Sequence, residues 1–212
     1  MDIKHEIRKL VPVGAHALLG LERLAVEPLG DADLTVLFTD IDDYTAITDR
    51  LGDRAARDLV LVHDRIVRAV LVETGGREIK HTGDGIMACF ASASRAIQAA
   101  LSIEEAARAW NLDDGQPAQL RIAIGMNSGA PIVDHGDLFG TMVNVAARIT
   151  DCAAGGQVLV SDVVRLLAAG KGFVFHHFDT RCLEGMVEAV PLFEVVWQED
   201  AEESRNGSSG GR

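Results

Sequence analysis

From Asp33 onward, apolar and polar positions fall into blocks with distinct periods. Leu34-Thr35-Val36-Leu37-Phe38 is a near-continuous run of β-formers and predicts a strand covered on at least one face. Between Asp53 and Glu73 apolar residues recur at Leu59, Val62, Ile66, Val67 and Val70, the spacing of a helical stripe, and Gly75-Gly76 ends it. Two short strands, Arg77 to Thr82 and Ile86 to Phe90, flank Gly83-Asp84-Gly85 and predict a β-hairpin. The Ala-rich stretch Ala91 to Trp110 predicts a second helix with Ser92 or Ser94 as its cap, and Leu120 to Met126 predicts a further strand.

The order βαββαβ predicts an α+β fold of the ferredoxin-like kind, with helices on one face of a mainly antiparallel sheet. Beyond it the sequence predicts a loop through Asp134-His135-Gly136-Asp137, a helix from about Thr141 to Cys152 and a strand at Gln157 to Val160. Extra C-terminal strands are expected near Phe173 to Phe178 and Leu192 to Val196. The main domain is placed at residues 31–198. Residues 1–30, with helical spacing at Ile3, Ile7 and Leu10 before Pro12 and Pro28, read as a short helical lead-in. The Glu-, Ser- and Gly-rich stretch 199–212 reads as a disordered tail.

Composition narrows the classes of partner. The 212-residue chain has 48% hydrophobic residues, enough for a core, and a formal net charge of -12. Such a surface repels phosphate backbones and anionic headgroups, so nucleic acid is not an expected partner, and a phosphate substrate would need cations to bridge it. Cys89, Cys152 and Cys182 are odd in number and lack paired metal spacing, which argues for reduced thiols in a cytoplasmic setting. The apolar stretch Leu10 to Leu21 is interrupted by Pro12, Gly14, His16 and Gly20 and is too short for a transmembrane segment. No secretory leader is apparent in it.

Three places carry candidate chemistry. Asp40 ends an apolar strand in Phe38-Thr39-Asp40-Ile41, and Asp84 lies in a hairpin turn whose glycines allow close backbone approach. Carboxylates at neighbouring strand ends suit a pair of divalent ions on a triphosphate. Taken singly, each is equally a turn or cap residue. Asn144 and Arg148, spaced i, i+4, share a helix face and could serve a sugar and a phosphoryl group, or simply form a solvated face.

Together these segments resemble the class III nucleotidyl cyclases, the adenylyl and guanylyl cyclase catalytic domain, over roughly Asp33 to Val196. The resemblance is carried by Phe38-Thr39-Asp40-Ile41 with Tyr44-Thr45, by Ile79-Lys80-His81-Thr82-Gly83-Asp84-Gly85, and by Asp137-Leu138-Phe139-Gly140 followed by Val143-Asn144-Val145-Ala146-Ala147-Arg148. The short Asp134–Asp137 connection is similar to the bacterial subclass with an abbreviated dimerisation arm.

The resemblance implies that Asp40, Asp84 and the backbone of Ile41 bind two Mg²⁺ or Mn²⁺ ions. Asp43, Tyr44 and Thr45 would lie where a helix start approaches the β- and γ-phosphates. Lys80 and Asp137 would read the purine, Asn144 would orient the ribose, and Arg148 would stabilise the transition state. An ammonium beside a carboxylate matches the N1 acceptor and N6 donor of adenine, so ATP is the expected substrate. The resemblance further implies a homodimer with two composite sites. Two positions depart from the family pattern: Asp43 where Gly is frequent, and Glu184 where Leu-Lys-Gly is frequent, with Lys171 or Arg181 as replacement cations. Both departures support a rival expectation, a weak or silent cyclase-like module that regulates a partner; guanylyl cyclase activity is the less favoured alternative.

Overall fold

The computed structural model describes residues 33–184, 186 and 188–196. The expected lead-in at 1–30 and tail at 199–212 lie outside them. The chain runs through β1 (Leu34–Ile41), α1 (Tyr44–Leu51), α2 (Asp53–Thr74), β2 (Arg77–His81), β3 (Ile86–Phe90), α3 (Ala93–Asn111) and β4 (Ile122–Gly129). It continues with β5 (Ile132–Asp134), β6 (Asp137–Phe139), α4 (Thr141–Thr150), β7 (Val158–Ser161), α5 (Asp162–Leu167), β8 (Val174–Arg181) and β9 (Val190–Val196).

Seven strands form one sheet in the order β2-β3-β1-β4-β7-β9-β8, with β5 and β6 as a separate hairpin. The first four strands in the sheet are those of the βαββαβ unit, and every pairing among them is antiparallel. β4 and β7 pair in parallel, while β9 is antiparallel to both β7 and β8. The α+β fold with a mainly antiparallel sheet and C-terminal strands is therefore as expected.

Side chains on β1 alternate between two differently filled layers, as the two-residue period of a strand requires. Leu37 and Ile41 join the larger core made with α2 and α3, which includes Leu59, Val67, Ile97 and Ile103. Leu34, Val36 and the half-buried Phe38 face the other way, against Leu138, Met142, Val143 and Ala146 of β6 and α4. Asp40 continues this second face to the strand end, where the apolar cover stops and the side chain becomes exposed. A fully buried side chain such as Leu37 contributes strongly; truncation to Ala costs about 2–5 kcal/mol.

Three elements differ from the sequence expectation. The segment around Asp134–Asp137 is the β5–β6 hairpin rather than a loop, with His135 and Gly136 both at positive φ in its turn. Two further helices, α1 and α5, appear where no bounded element was predicted. α5 is capped by Ser161, whose hydroxyl accepts a hydrogen bond from the Val164 amide.

Candidate active site

Asp40 and Asp84 are brought together by the β1–β3 pairing. Thr39 lies opposite Ile86, so the hairpin turn before β3 hangs over the end of β1. Gly85 makes this possible: a Cβ there would stand 1.8 Å from the Thr39 carbonyl oxygen, so no other residue fits without moving the strand. The turn is closed by the Thr82 amide donating to the Gly85 carbonyl at 2.9 Å.

The two carboxyl groups are near enough for Asp84 to act on the ionisation of Asp40. Although its side chain reaches solvent, Asp40 is pushed up to about 7, first by partial loss of hydration on the side against the protein, then by the charge of Asp84 and the hydrogen bond to it, and finally by Asp151 and Asp42. Among the described residues no Lys, Arg or His forms an ion pair with Asp40 or Asp84. Two converging carboxylates with no protein cation fit hard divalent ions. Among the described residues no group of three or more His, Cys, Asp and Glu side chains gathers as a metal cluster, so the candidate set is these two carboxylates with main-chain oxygens such as that of Ile41.

At the start of α1, Asp43 adopts a left-handed backbone, φ 58° and ψ 27°. Asp and Asn enter this region more readily than most residues, which accounts for Asp at a position where Gly also serves. Its carboxylate does not cap the helix; it lies 3.8 Å from Arg121, whose guanidinium is bound by Asp42. Tyr44 is half-buried against the core, Thr45 is exposed, and α1 carries no acidic residue in its first turn.

Lys80 on β2 and Asp137 on β6 meet at 2.7 Å, Nζ to Oδ2, and the ammonium also lies 5.4 Å from the Phe139 ring centre. The hydrogen bond from Lys80 holds Asp137 below the ordinary carboxylate range. Asn144 and Arg148 are both exposed on α4. Arg148 is engaged twice: Nη1 with Asp151 at 3.2 Å and Nη2 with Glu184 at 2.6 Å. The departure at Glu184 thus falls directly on the guanidinium. Of the replacement cations, Arg181 is bound to Asp179 at 2.8 Å, and Lys171 forms no ion pair among the described residues.

The sequence reading did not single out the polar side chains behind this site. Thr39, His63, Asp64 and His81 form a connected chain between β1 and the hairpin. The available signal was His63 and Asp64 interrupting the apolar stripe of α2.

The fold is that of a nucleotide cyclase domain, as the comparisons show. The family model for the adenylate and guanylate cyclase catalytic domain matches residues 27–193, and the chain belongs to that family. An uncharacterised protein of Mycobacterium tuberculosis is 32% identical over 141 residues, covering 65% of this chain and 36% of that protein. An adenylate cyclase of Mycosarcoma maydis is 29% identical over 178 residues, covering 73% of this chain and 7% of its own length. The chain thus matches about a third or less of these relatives. A crystal structure of an adenylate/guanylate cyclase/hydrolase from Silicibacter pomeroyi superposes with a TM-score of 0.71 at 25% identity, over 78% of this chain and 97% of that one. Class III cyclases use divalent metals and nucleotide substrates. No helix among the described residues is long and apolar enough to cross a membrane.

Proposed function

We propose that the protein is an adenylyl cyclase that converts ATP to 3′,5′-cyclic AMP and pyrophosphate as a cytoplasmic homodimer. The observation that carries this reading is the Lys80–Asp137 pair: a donor and an acceptor side by side have the polarity that the N6 and N1 edge of adenine requires. Guanine presents the reverse polarity and would set like against like.

In this reading Lys80 and Asp137 hold the base and Asn144 orients the ribose. Main-chain amides at the start of α1, beside Tyr44 and Thr45, receive the terminal phosphates. The ribose 3′-hydroxyl gives up its proton to water, its oxygen forms a bond to the α-phosphorus as the bond to the pyrophosphate oxygen breaks, and Arg148 balances the charge that develops on the phosphoryl group. Asp40, Asp84 and the Ile41 carbonyl would hold two Mg²⁺ or Mn²⁺ ions, whose chemistry is to neutralise the triphosphate and lower the pKa of the ribose hydroxyl.

A partner subunit would complete each site, with Asp40 and Asp84 from one chain facing Lys80, Asp137, Asn144 and Arg148 of the other. The exposed apolar side chains Ile132, Val133 and Phe139, on the hairpin that carries Asp137, support such a contact. The deciding experiment is incubation of purified protein with ATP or GTP and Mg²⁺ or Mn²⁺, followed by detection of cyclic nucleotide. Cyclic AMP in excess over cyclic GMP supports the reading, and the formation of no cyclic nucleotide from either substrate overturns it.

A second reading is favoured by the Glu184–Arg148 ion pair. If that pair persists with nucleotide present, the domain binds ATP without turnover and regulates a partner. Nucleotide binding by calorimetry with no cyclic product distinguishes it.

A further inference from the structure

The two carboxylate-bearing segments are tied to each other by a buried polar chain that neither carboxylate belongs to. The Ile86 amide donates to Thr39 Oγ1 at 3.0 Å, and Thr39 Oγ1 lies 2.9 Å from His63 Nε2. His63 Nδ1 is 3.2 Å from Asp64 Oδ1, and the same oxygen is 3.1 Å from His81 Nε2. The Gly83 amide donates to His81 Nδ1 at 3.1 Å. That bond makes Nδ1 of His81 an acceptor, so Nε2 carries the proton that Asp64 receives. On the other branch, the Thr39 hydroxyl is nearer to His63 Nε2 than to the Ile86 carbonyl, at 3.4 Å, which leaves His63 Nδ1–H to donate to Asp64.

Asp64 is thus the common acceptor. Its second oxygen takes Arg68 Nη1 at 3.1 Å, and Arg68 is anchored in turn by two bonds to Glu78, at 2.7 and 2.9 Å. Burial opposes ionisation of Asp64, but the His63 hydrogen bond and the charge of Arg68 outweigh it and bring the carboxyl down to about 2. Thr39 and His63 are fully buried and Asp64 nearly so, so these bonds are made away from water, where leaving a partner unmade is costly.

The chain ends at two equivalent points: Thr39 immediately precedes Asp40, and Gly83 immediately precedes Asp84. We infer that Asp64, acting through His63 to Thr39 and through His81 to Gly83, is a positioning residue that sets the separation of Asp40 and Asp84 and so the divalent-ion affinity of the pair. The inference rests on the reading of Asp40 and Asp84 as metal ligands. Once both are ionised and unrestrained, the two carboxylates push the hairpin turn away from β1; a fixed buried anion that holds the residue before each one through a histidine opposes that movement.

The test is Mn²⁺ binding to the nucleotide-free protein, followed by titration calorimetry or the loss of free-ion paramagnetic resonance signal. Asp64→Asn, His81→Gln and Thr39→Val are expected to weaken Mn²⁺ binding about tenfold or more, the usual cost of removing a hydrogen-bond partner behind a metal ligand. Thr39→Ser, which keeps the hydroxyl, is expected to bind as the wild type does. Raising Mn²⁺ to saturation is expected to restore occupancy in each folded variant. Should Asp64→Asn fail to fold, His81→Gln and the Thr39 pair decide, since His81 is partly exposed at the surface. Asp40→Asn and Asp84→Asn separate the two levels of the argument. If these retain wild-type Mn²⁺ binding, the metal reading is wrong and the inference goes with it; if they lose it while folded His81→Gln and Thr39→Val retain it, only the positioning role is overturned.

Discussion

The Glu184 carboxylate lies 2.6 Å from Nη2 of Arg148, so the guanidinium proposed to meet the reacting phosphoryl group is already held by an acid. Glu184 is 79% exposed, and an ion pair in that setting contributes only about 0–1 kcal/mol. Freeing Arg148 by Glu184→Gln is therefore expected to raise cyclic AMP turnover by about two- to fivefold. Glu184→Lys should in addition lower the KM for ATP. Steady-state kinetics of the two variants checks this, and unchanged constants in both would mean that the pair does not compete with substrate.

Asp43 combines a backbone preference with an unwelcome charge. At φ 58° a β-branched residue is strained, so Asp43→Val is expected to cost about 1–2 kcal/mol of stability in urea unfolding, whereas Asp43→Gly should be close to neutral. The Gly variant also removes a carboxylate from the start of α1, and its KM for ATP should fall by about two- to fivefold if the triphosphate approaches there. Equal KM values would place the phosphates elsewhere.

Glu104 gives the fold a pH dependence independent of the site. It is 3% exposed on α3, one of its carboxyl oxygens has no hydrogen-bond partner, and burial, opposed in part by Arg108, holds it up to about 8 against an ordinary 4.5. A folded-state value above the unfolded one means that its contribution is intact below pH 4.5 and is lost as pH rises toward 8. The loss by pH 7 is roughly 3 kcal/mol. Glu104→Gln, which cannot ionise, should flatten this slope, so that urea midpoints of variant and wild type diverge between pH 5 and 8.5 with the variant the more stable at the alkaline end. Parallel curves would contradict the assignment.

Shared sites have a quantitative signature in mixtures. Asp40→Ala and Arg148→Ala homodimers are each expected to be inactive. A mixed dimer gathers both lesions in one site and leaves the other wild type, so with random exchange about a quarter of wild-type activity returns. Differently tagged chains verify the exchange. A mixture that exchanges and stays inactive would argue for sites built within one chain.

Much of this architecture was legible in the residues because the strands and helices of the βαββαβ unit have long or strongly periodic patterns: Leu34 to Phe38, the stripe from Leu59 to Val70, and Ile86 to Phe90. The Asp84 turn was legible for a different reason, since Gly-Asp-Gly between two β-forming runs has few other uses. The hairpin at Ile132 to Phe139 was not. Its strands are three residues each, too short to show alternation, and His135-Gly136 is a less telling turn pair than Asn-Gly. Likewise α1 and α2 merge in the sequence, because the break between them is the single residue Gly52 at φ 82°. The juxtaposition of Lys80 with Asp137, 57 positions apart, and of Arg148 with Glu184 depends on strand order, which no local pattern encodes. Lys80 and Asp137 were expected as partners through family resemblance; the ion pair between Arg148 and Glu184 emerged only in three dimensions.

The interior place of β1, with a neighbour on each edge, constrains how the protein comes into being. Its two neighbours, β3 and β4, come later in the chain, and the buried hydroxyls of Thr35 and Ser128, 2.8 Å apart, are separated by 93 positions. During synthesis the run Leu34 to Phe38 therefore leaves the ribosome well before the strands that will cover its edges. Until residue 129 has been made, the apolar segment that delivers Asp40 is an unpaired strand with one of its partners not yet in existence. Loop-closure entropy over such distances slows pairing, so the nascent chain is at its most adhesive in the very stretch that ends up enclosed between two strands of the finished sheet.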